Sequence, residues 1–138
     1  MKPNLIDGNL FVDDRGTLRF VNDFNFNNVK RFYQVENHRS GFIRAWHGHK
    51  KEGKYVFVSS GSALIGVVNM ETEQIEKFVL SSKKPRVLWI PPGNYNGFKS
   101  LEENTQIMFF STTTLEESLG DDIREDFDKW NIWEEDYR

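Results

Sequence analysis

Two of the three histidines stand one residue apart in the segment Trp46-His47-Gly48-His49. If this segment is a β-strand, its period of two places both imidazoles on the same face of a sheet. An imidazole titrates near neutral pH, so a pair that faces a polar pocket is suited to general base work. The same spacing also fits two structural histidines that line the inside of a barrel, because a lone H-x-H is a weak signal. Both roles stay open for His47 and His49 at this point.

The elements that position this pair are predicted to be strands. Between residues 10 and 111, short runs rich in Val, Ile, Phe and Tyr alternate with clusters of Gly, Asn, Asp and Ser. The predicted strands are 18–21, 30–35, 42–49, 55–59, 63–68, 75–80, 87–90 and 106–111, with turns at Gly61 and 69–72. This pattern indicates an all-β fold, an antiparallel sandwich or barrel of jelly-roll type, with short helical turns only in the acidic segment 115–133. Inward-facing polar side chains of such a fold are the expected site of any chemistry.

Composition excludes several classes of function. The chain has 138 residues, which favours a single domain over residues 1–138. Its net charge of −3 and the lack of a basic tract argue against a nucleic-acid partner. It has no cysteine, which excludes thiol nucleophiles, disulfides and thiolate metal sites and fits a reducing compartment. No apolar run is long enough to span a membrane and no signal-peptide core is seen, so a cytoplasmic location is expected.

Two segments resemble the paired motifs of the cupin superfamily. Gly41, His47-Gly48-His49 and Gly61 have the spacing of the first motif, and PPGNYN at residues 91–96 resembles the second. In metal-binding cupins this resemblance implies a Glu where the chain has Lys54 and a His where it has Asn96. An ammonium and an amide in those places leave two good ligands, too few for Zn, Fe or Mn. We therefore expect a cupin-type jelly-roll barrel with no metal and no other cofactor.

Further segments resemble the dTDP-4-dehydrorhamnose 3,5-epimerase family. FVDDRG at 11–16 resembles its F-x-D-x-R-G, GKYV at 53–56 its G-K-x-V, and WIPPGNYNGF at 89–98 its W-I-P-P-G-x-x-H-G-F apart from the asparagine. The family's block Q-x-x-N-x-S-x-x-G-x-x-R-G-x-H is followed approximately by Gln34, Asn37, Ser40, Gly41, Arg44 and His47. The tail at 121–124, followed by Trp133, is also similar to the end of these enzymes.

Two departures from that family point to a related branch. HGHKK at residues 47–51 is similar to the H-A-H-K-K of the dTDP-4-keto-6-deoxyhexose 3,4-ketoisomerases, and the chain shares their short length. The acid tyrosine of the epimerases falls on Phe109, whose phenyl ring has no proton to donate. The chain thus resembles two branches that act on the same kind of substrate.

The resemblance implies roles for the catalytic residues. Both branches begin by abstracting a proton beside a ketone, and His47 is the expected base. Lys54 is the expected cation that stabilises the enolate oxygen; a salt-bridged lysine at the barrel rim is the alternative. Because Phe109 cannot act as the acid, Tyr33, Tyr55 or His49 would have to replace it.

The resemblance also implies how the substrate is held. A nucleotide diphosphate favours arginine partners, and Arg15 and Arg44 are expected to supply them. In a regular strand Arg44 and His47 face opposite ways, so a bulge near Ala45 is required if both reach one ligand. The other expected substrate-binding residues are Gln34, Asn37, Tyr55 and Asn96.

The expected function is that of a metal-independent isomerase. The leading hypothesis is a 3,5-epimerase acting on a dTDP-linked 4-keto-6-deoxyhexose for cell-surface polysaccharide, such as lipopolysaccharide. The alternatives are a 3,4-ketoisomerase on the same class of substrate and a non-catalytic cupin that binds sugar nucleotides. A homodimer that pairs through sheet edges and N-terminal strands is also expected.

Overall fold

The fold consists of antiparallel strands and contains no helix. The structure, a computed structural model, describes residues 1–138. Its strands are β1 Asn4–Asp7, β2 Asn9–Asp13, β3 Gly16–Phe20, β4 Arg31–Val35, β5 Ile43–His49, β6 Lys54–Ser60, β7 Ser62–Asn69, β8 Ile75–Ser81, β9 Arg86–Ile90, β10 Asn94–Ser100, β11 Gln106–Ser111 and β12 Ile123–Arg124. All eight predicted strands are present, with ends that differ by at most two residues.

Four strands and the tail differ from the sequence-based expectation. Strands β1, β2, β10 and β12 were not predicted; β10 is rich in Asn, Gly and Ser, and pairing with β5 and β7 on its two sides makes it a strand. The prediction of helical turns in 115–133 was wrong, because this segment forms turns and the short strand β12. The structure has no helix that is long and apolar enough to cross a membrane.

Two five-stranded sheets face each other. Sheet I has the order β1-β9-β6-β11-β4, sheet II has the order β12-β5-β10-β7-β8, and β2 and β3 form a separate hairpin. The all-β, jelly-roll type of fold is confirmed, but the two sheets form an open sandwich and do not close into a barrel. Gly61 makes the tight link from β6 in one sheet to β7 in the other with a φ of 76°, a left-handed value that favours glycine.

The main core lies between the two sheets. It is formed by aliphatic side chains such as Val56, Ile65 and Leu88, each at most 2% exposed. Burial of this apolar surface is the main stabilising contribution to the fold. At one end of the core Phe98 of sheet II and Phe109 of sheet I contact each other, with ring centroids 5.5 Å apart. These two rings close the core and form the floor of the space above it.

A second, smaller core attaches the C-terminal tail (residues 112–138) to the outer face of sheet II. Trp46, Trp130 and Trp133 pack together there, and Gly66 leaves the space that the Trp46 ring occupies. The indole N–H groups of Trp46 and Trp133 both donate to the carbonyl of Phe127, at 3.1 and 3.0 Å. The tail is therefore fixed at Trp130 and Trp133, beyond the residues 123–124 that pair with β5.

Replacing Trp133 by alanine is expected to release the tail while leaving the main core folded. The cost of such a truncation is about 3–5 kcal/mol, and it falls on the contact between the tail and sheet II. We expect amide hydrogen exchange in 121–133 to become much faster, with little change in β6, β7 and β9. Tyr137→Ala, at a position 89% exposed, is the matched control. Unchanged exchange in the tail of Trp133→Ala would contradict this description.

Candidate active site

A cavity of about 560 Å³ lies between the two sheets above the Phe98–Phe109 floor. One wall belongs to sheet I and is formed by Arg31, Tyr33, Val35, Lys54 and Phe109. The facing wall belongs to sheet II and is formed by Arg44, His47, His49, Asn96 and Phe98. The remaining lining comes from the β5–β6 loop and the tail, namely Glu52, Ser118, Leu119, Gly120 and Asp122. The cavity thus collects both histidines, three basic side chains and two carboxylates.

A bulge in β5 brings Arg44 and His47 to the same cavity. Asn96 of β10 pairs with His47 and Phe98 pairs with Arg44, so Ala45 and Trp46 together stand opposite one residue, Gly97. The extra residue shifts the alternation of β5 by one, as a bulge does. Trp46 faces the outer core while Arg44 and His47 line the cavity. The bulge that the sequence required near Ala45 is present.

His49 is the deeper of the two histidines and is 8% exposed. Its Nδ1 lies 2.6 Å from the backbone carbonyl of Asp121, which can only accept, so Nδ1 carries the proton of the neutral ring. Its Nε2 is buried and has no hydrogen-bond partner. Burial, followed by the Lys54 charge, lowers the pKa of His49 below its ordinary value, against the opposing effects of Asp121 and Glu52. His49 is therefore held as a neutral imidazole with a free lone pair.

His47 lies nearer the cavity mouth, beside the tail. Its Nδ1 is 3.8 Å from Oδ1 of Asp122. Burial lowers the pKa of His47, the nearby charges of Arg124 and Lys54 lower it further, and the Asp122 carboxylate opposes them. A neutral imidazole beside a carboxylate can accept a proton and be stabilised once charged. Asn96, directly across from it on β10, donates from its side chain to the His47 carbonyl at 3.3 Å.

Lys54 presents an unpaired charge to the cavity from sheet I. It is 7% exposed, and no carboxylate lies within 4.0 Å of its ammonium group. The ammonium instead stands over the rings of Tyr33 and Phe109, 5.8 and 5.7 Å from their centroids. The alternative of a salt-bridged rim lysine does not agree with these contacts. A cation in this position is available to a negatively charged oxygen of a bound ligand.

Tyr33 is the only tyrosine that lines the cavity. Its ring stacks on Phe109, with centroids 5.0 Å apart and an interplanar angle of 11°, because the two residues pair directly across β4 and β11. Its hydroxyl makes no hydrogen bond within the chain. The Tyr33 phenol is therefore carried by β4, the strand that pairs with the Phe109 strand β11. It lies on the wall opposite the histidines.

A buried polar network beneath His49 was not predicted. Glu52 accepts from the guanidinium of Arg31 at 3.0 Å and from the hydroxyl of Ser111, and its second oxygen is 3.5 Å from Nδ1 of His49. The sequence offered one signal, since Arg31 is two residues before Tyr33 in a predicted strand and so faces the same way. Nothing local indicated Glu52 or Ser111, because they meet only through the fold.

Four of the predicted substrate-binding residues lie outside the cavity. Arg15 is in the β2–β3 turn, where it pairs with Asp13 and its side chain is 84% exposed. Gln34 follows Tyr33 and Tyr55 follows Lys54, and because adjacent strand residues face opposite ways, both point away from the cavity. Gln34 bonds to Gln106 and Tyr55 stacks on Trp89. Asn37 donates to the hydroxyl of Ser100 at 3.0 Å, beyond the end of β4. The predicted residues that the cavity does bring together are Tyr33, Arg44, His47, His49, Lys54 and Asn96.

The donors in the cavity do not fit a metal of the cupin kind. His47 and His49 are the only imidazoles there, and Lys54 and Asn96 stand beside them. No group of three or more His, Cys, Asp or Glu side chains is arranged to hold a metal ion. The ammonium of Lys54 also opposes a second cation in the same space.

Comparison with known proteins identifies the family of this chain. The family model described as dTDP-4-dehydrorhamnose 3,5-epimerase matches residues 3–133. The chain belongs to this family. It is therefore an enzyme of the dTDP-sugar epimerase/isomerase type. None of the curated proteins matches the sequence.

Solved structures similar to this chain include members of both branches. The dTDP-4-dehydrorhamnose 3,5-epimerase from Sulfolobus tokodaii is 26% identical, with a TM-score of 0.77 over 94% of this chain and 81% of that one. The corresponding Bacillus anthracis enzyme, solved with TDP and PPi bound, is 23% identical, with a TM-score of 0.78 over 94% and 79%. A 3,4-ketoisomerase from Helicobacter canadensis is 19% identical, with a TM-score of 0.72 over 94% of both chains. Their shared fold does not separate the two reactions.

Both cavity histidines are expected to titrate below the ordinary value of about 6.5. Burial is the main cause for each. The unfolded chain then binds these protons at a higher pH than the folded protein, so the free energy of unfolding falls as the pH drops below about 6.5. Side-chain NMR titration measures the pKa values, and urea unfolding at about pH 8 and pH 5.5 measures the loss of stability.

Lys54→Met tests the electrostatic part of this prediction. Removing the ammonium is expected to raise the pKa of His47 and of His49, because the Lys54 charge lowers both. Lys83→Met, in the exposed turn after β8, is the matched control and is expected to leave both titrations unchanged. Midpoints that do not move in Lys54→Met would contradict the geometry described for this cavity.

Proposed function

We propose that this protein is an epimerase of the 3,5-epimerase type, acting on a dTDP-linked 4-keto-6-deoxyhexose. The observation that carries the proposal is the placement of His47 and Tyr33 on opposite walls of one cavity, with the Lys54 ammonium beside the phenol. Epimerisation removes a proton from one face of a carbon and returns a proton to the other face. A base and an acid on facing walls match that requirement.

The reaction begins at a carbon next to the ketone. The neutral His47 takes the proton, the C–H electron pair moves into the enolate, and the ketone oxygen becomes negative. Lys54 stabilises that oxygen, a contribution that is usually the largest one in such reactions. Tyr33 then donates its hydroxyl proton to the opposite face of the carbon and recovers a proton from solvent. Asp122 stabilises the imidazolium that His47 becomes until it releases its proton.

The nucleotide part of the substrate is assigned to the basic side chains of the cavity. Arg44 lies at the exposed mouth, and Arg31 lies on the facing wall with one side of its guanidinium bound to Glu52. Guanidinium groups suit the oxygens of a diphosphate because they donate in pairs. The binding of TDP and PPi by the related Bacillus anthracis enzyme supports a diphosphate ligand for this family member as well.

A 3,4-ketoisomerase is the second candidate, and the position of His49 favours it. His49 lines the same wall as His47 and its Nε2 has no hydrogen-bond partner, so two imidazoles are available on one side of the cavity. Moving a ketone between adjacent carbons requires a proton to leave the hydroxyl-bearing carbon and enter the former carbonyl carbon, while the hydroxyl proton moves in the same direction, from the first oxygen to the second. Two neighbouring bases on one face can share these transfers without an acid on the opposite wall.

The deciding experiment is incubation with dTDP-4-keto-6-deoxyglucose in deuterated water, with the product determined by NMR. An epimerase is expected to introduce deuterium next to the ketone and invert that carbon, leaving the ketone at C4. A ketoisomerase is expected to move the ketone to C3. Binding of the substrate with no deuterium exchange would overturn both and leave a non-catalytic binding protein.

Single substitutions separate the roles of the three catalytic candidates. His47→Asn is expected to lose roughly two to four orders of magnitude in exchange and turnover, the usual contribution of a general base. If the protein is an epimerase, Tyr33→Phe keeps deuterium exchange but loses inversion, whereas His49→Asn has the smaller effect. If it is a ketoisomerase, His49→Asn is expected to have the larger effect and Tyr33→Phe the smaller one. Tyr137→Phe, at an exposed tyrosine, is the control for the loss of a hydroxyl. Wild-type exchange in His47→Asn would exclude it as the base.

We also propose that two copies of the chain form a dimer. The β2–β3 hairpin exposes apolar residues, including Phe11 at 58% and Leu18 at 62%. On the outer side of sheet I, Phe32 of β4 and Phe26 of the segment before β4, which packs against Phe110, are also exposed. An isolated hairpin is only marginally stable, so a partner surface is required to bury these side chains. A two-fold dimer in which each hairpin covers the partner's sheet I buries both patches at once. In such an arrangement Arg15 can also approach a ligand bound in the cavity of the partner subunit.

Sedimentation at micromolar concentration tests this dimer. The wild-type chain is expected to sediment as a dimer and Leu18→Glu as a folded monomer, because a carboxylate does not enter an apolar interface without a large desolvation cost. Val79→Glu, on the exposed face of the edge strand β8, is the control and is expected to remain dimeric. A monomeric wild-type chain would contradict the proposal.

A further inference from the structure

His49 depends on the tail for its orientation. Its Nδ1 donates to the backbone carbonyl of Asp121 at 2.6 Å, and this is the closest polar contact that the ring makes. The other acceptor near Nδ1 is Oε1 of Glu52, at 3.5 Å. Nothing else holds the ring, since Nε2 has no partner. The position of the Asp121 carbonyl therefore sets the orientation of the His49 ring and of its Nε2 lone pair.

The position of that carbonyl is fixed by the side chain of the same residue. Asp121 is 6% exposed, and its carboxylate accepts the backbone N–H groups of Lys50, Lys51 and Glu52 at 2.8, 3.0 and 3.0 Å. Burial alone would raise the pKa of this carboxyl, but the three N–H donors outweigh it, and the pKa lies below its ordinary value. The carboxylate thus stays charged and attached to the loop that directly follows His49.

The local backbone is shaped to allow this double contact. Gly120, the preceding residue, has a φ of 78°, a left-handed value that a side chain rarely adopts. The chain turns there and enters β12, which pairs with β5 from Gly48 to His47. One residue therefore bonds the loop through its carboxylate and the ring through its carbonyl, so the ring and the loop cannot move independently of the tail.

We propose that Asp121 is a positioning residue that fixes His49 in the Nδ1–H tautomer and so keeps the Nε2 lone pair of this cavity-lining ring free. The proposal rests on the second candidate of the proposed function, the 3,4-ketoisomerase, in which His49 takes part in proton transfer. Lys54 and His47 face the ring from the cavity, and Glu52 faces it from the loop. The Lys54 ammonium has no acceptor for the Nδ1 proton. The Glu52 carboxylate is 3.5 Å from Nδ1, farther than the Asp121 carbonyl at 2.6 Å. The correct tautomer is necessary because an Nε2–H ring has no lone pair to offer on that side.

The experiment is ¹⁵N NMR of the histidine rings in the substrate-free protein near neutral pH. Wild-type His49 is expected to show a protonated Nδ1 and an unprotonated Nε2. In Asp121→Ala the Nε2–H tautomer is expected to appear, and in Asp121→Asn, which keeps one acceptor for the loop, it is expected to appear to a smaller extent. Asp128→Ala removes an exposed tail carboxylate that has no hydrogen bond or ion pair, so it is the matched control.

Glu52→Gln distinguishes the two acceptors near Nδ1. If the tautomer of His49 is unchanged in Asp121→Ala and lost in Glu52→Gln, the carboxylate of Glu52 sets it and the proposal is overturned. If Asp121→Ala changes the tautomer but also lowers the melting temperature of the whole protein, the tautomer in Asp121→Asn becomes the deciding result. This milder change is expected to keep the fold. An unchanged tautomer in a folded Asp121→Asn and a folded Asp121→Ala also overturns the proposal.

Turnover gives a second, separate readout. Because a base contributes roughly 10²–10⁴-fold, a partly wrong tautomer is expected to lower kcat about tenfold or more in Asp121→Ala if the reaction is the ketoisomerisation, in which His49 takes part. The tautomer is measured without substrate, so its result stands even if the wild-type protein shows no deuterium exchange. Failure of the proposed function and failure of this inference are thereby told apart.

Discussion

Strand β5 is bound on one edge by β10 and on the other by the two-residue strand β12 of the tail. This second contact places two consecutive tail residues against two alternate residues of β5: Asp121 meets His49 and Asp122 meets His47. The sheets of this fold do not close into a barrel, so the tail supplies the missing side of the cavity. Because Trp133 and its neighbours fix the tail on the outer face of the same sheet, the arrangement of the site depends on packing on the opposite side of β5.

The electrostatics of the cavity favour neutral bases beside a fixed cation. Burial lowers the pKa of both histidines, and the charge of Lys54 acts in the same direction on each. Each unit of such a shift corresponds to about 1.4 kcal/mol against the imidazolium form. Lys54 itself has no carboxylate partner, while the buried carboxylate of the cavity lining, Glu52, is satisfied by Arg31 and Ser111. The result is a positive charge that remains available for an enolate oxygen and imidazoles that can still accept a proton.

Much of this arrangement could be predicted from the sequence, and the limits have physical reasons. The alternation of apolar residues identified the central strands and placed His47 and His49 on one face, and the conflict between Arg44 and His47 pointed to the bulge in β5. The same alternation separates Lys54 from Tyr55 and Tyr33 from Gln34, since adjacent strand residues face opposite ways. Strand β10 escaped prediction because its Asn and Gly residues indicate a turn until two neighbours pair with it. Contacts such as Asp121 with the loop at 50–52 join residues far apart in the chain and leave no local pattern.

We propose that the hexose of a sugar nucleotide lies between the two walls of the cavity. A crystal structure with dTDP-glucose, which has no ketone and cannot react, tests it most directly. We expect the hexose to lie between His47 on one side and Tyr33 on the other, with C4 turned toward Lys54 and the diphosphate toward Arg44. A nucleotide bound elsewhere, or a hexose that contacts neither His47 nor Lys54, would contradict it.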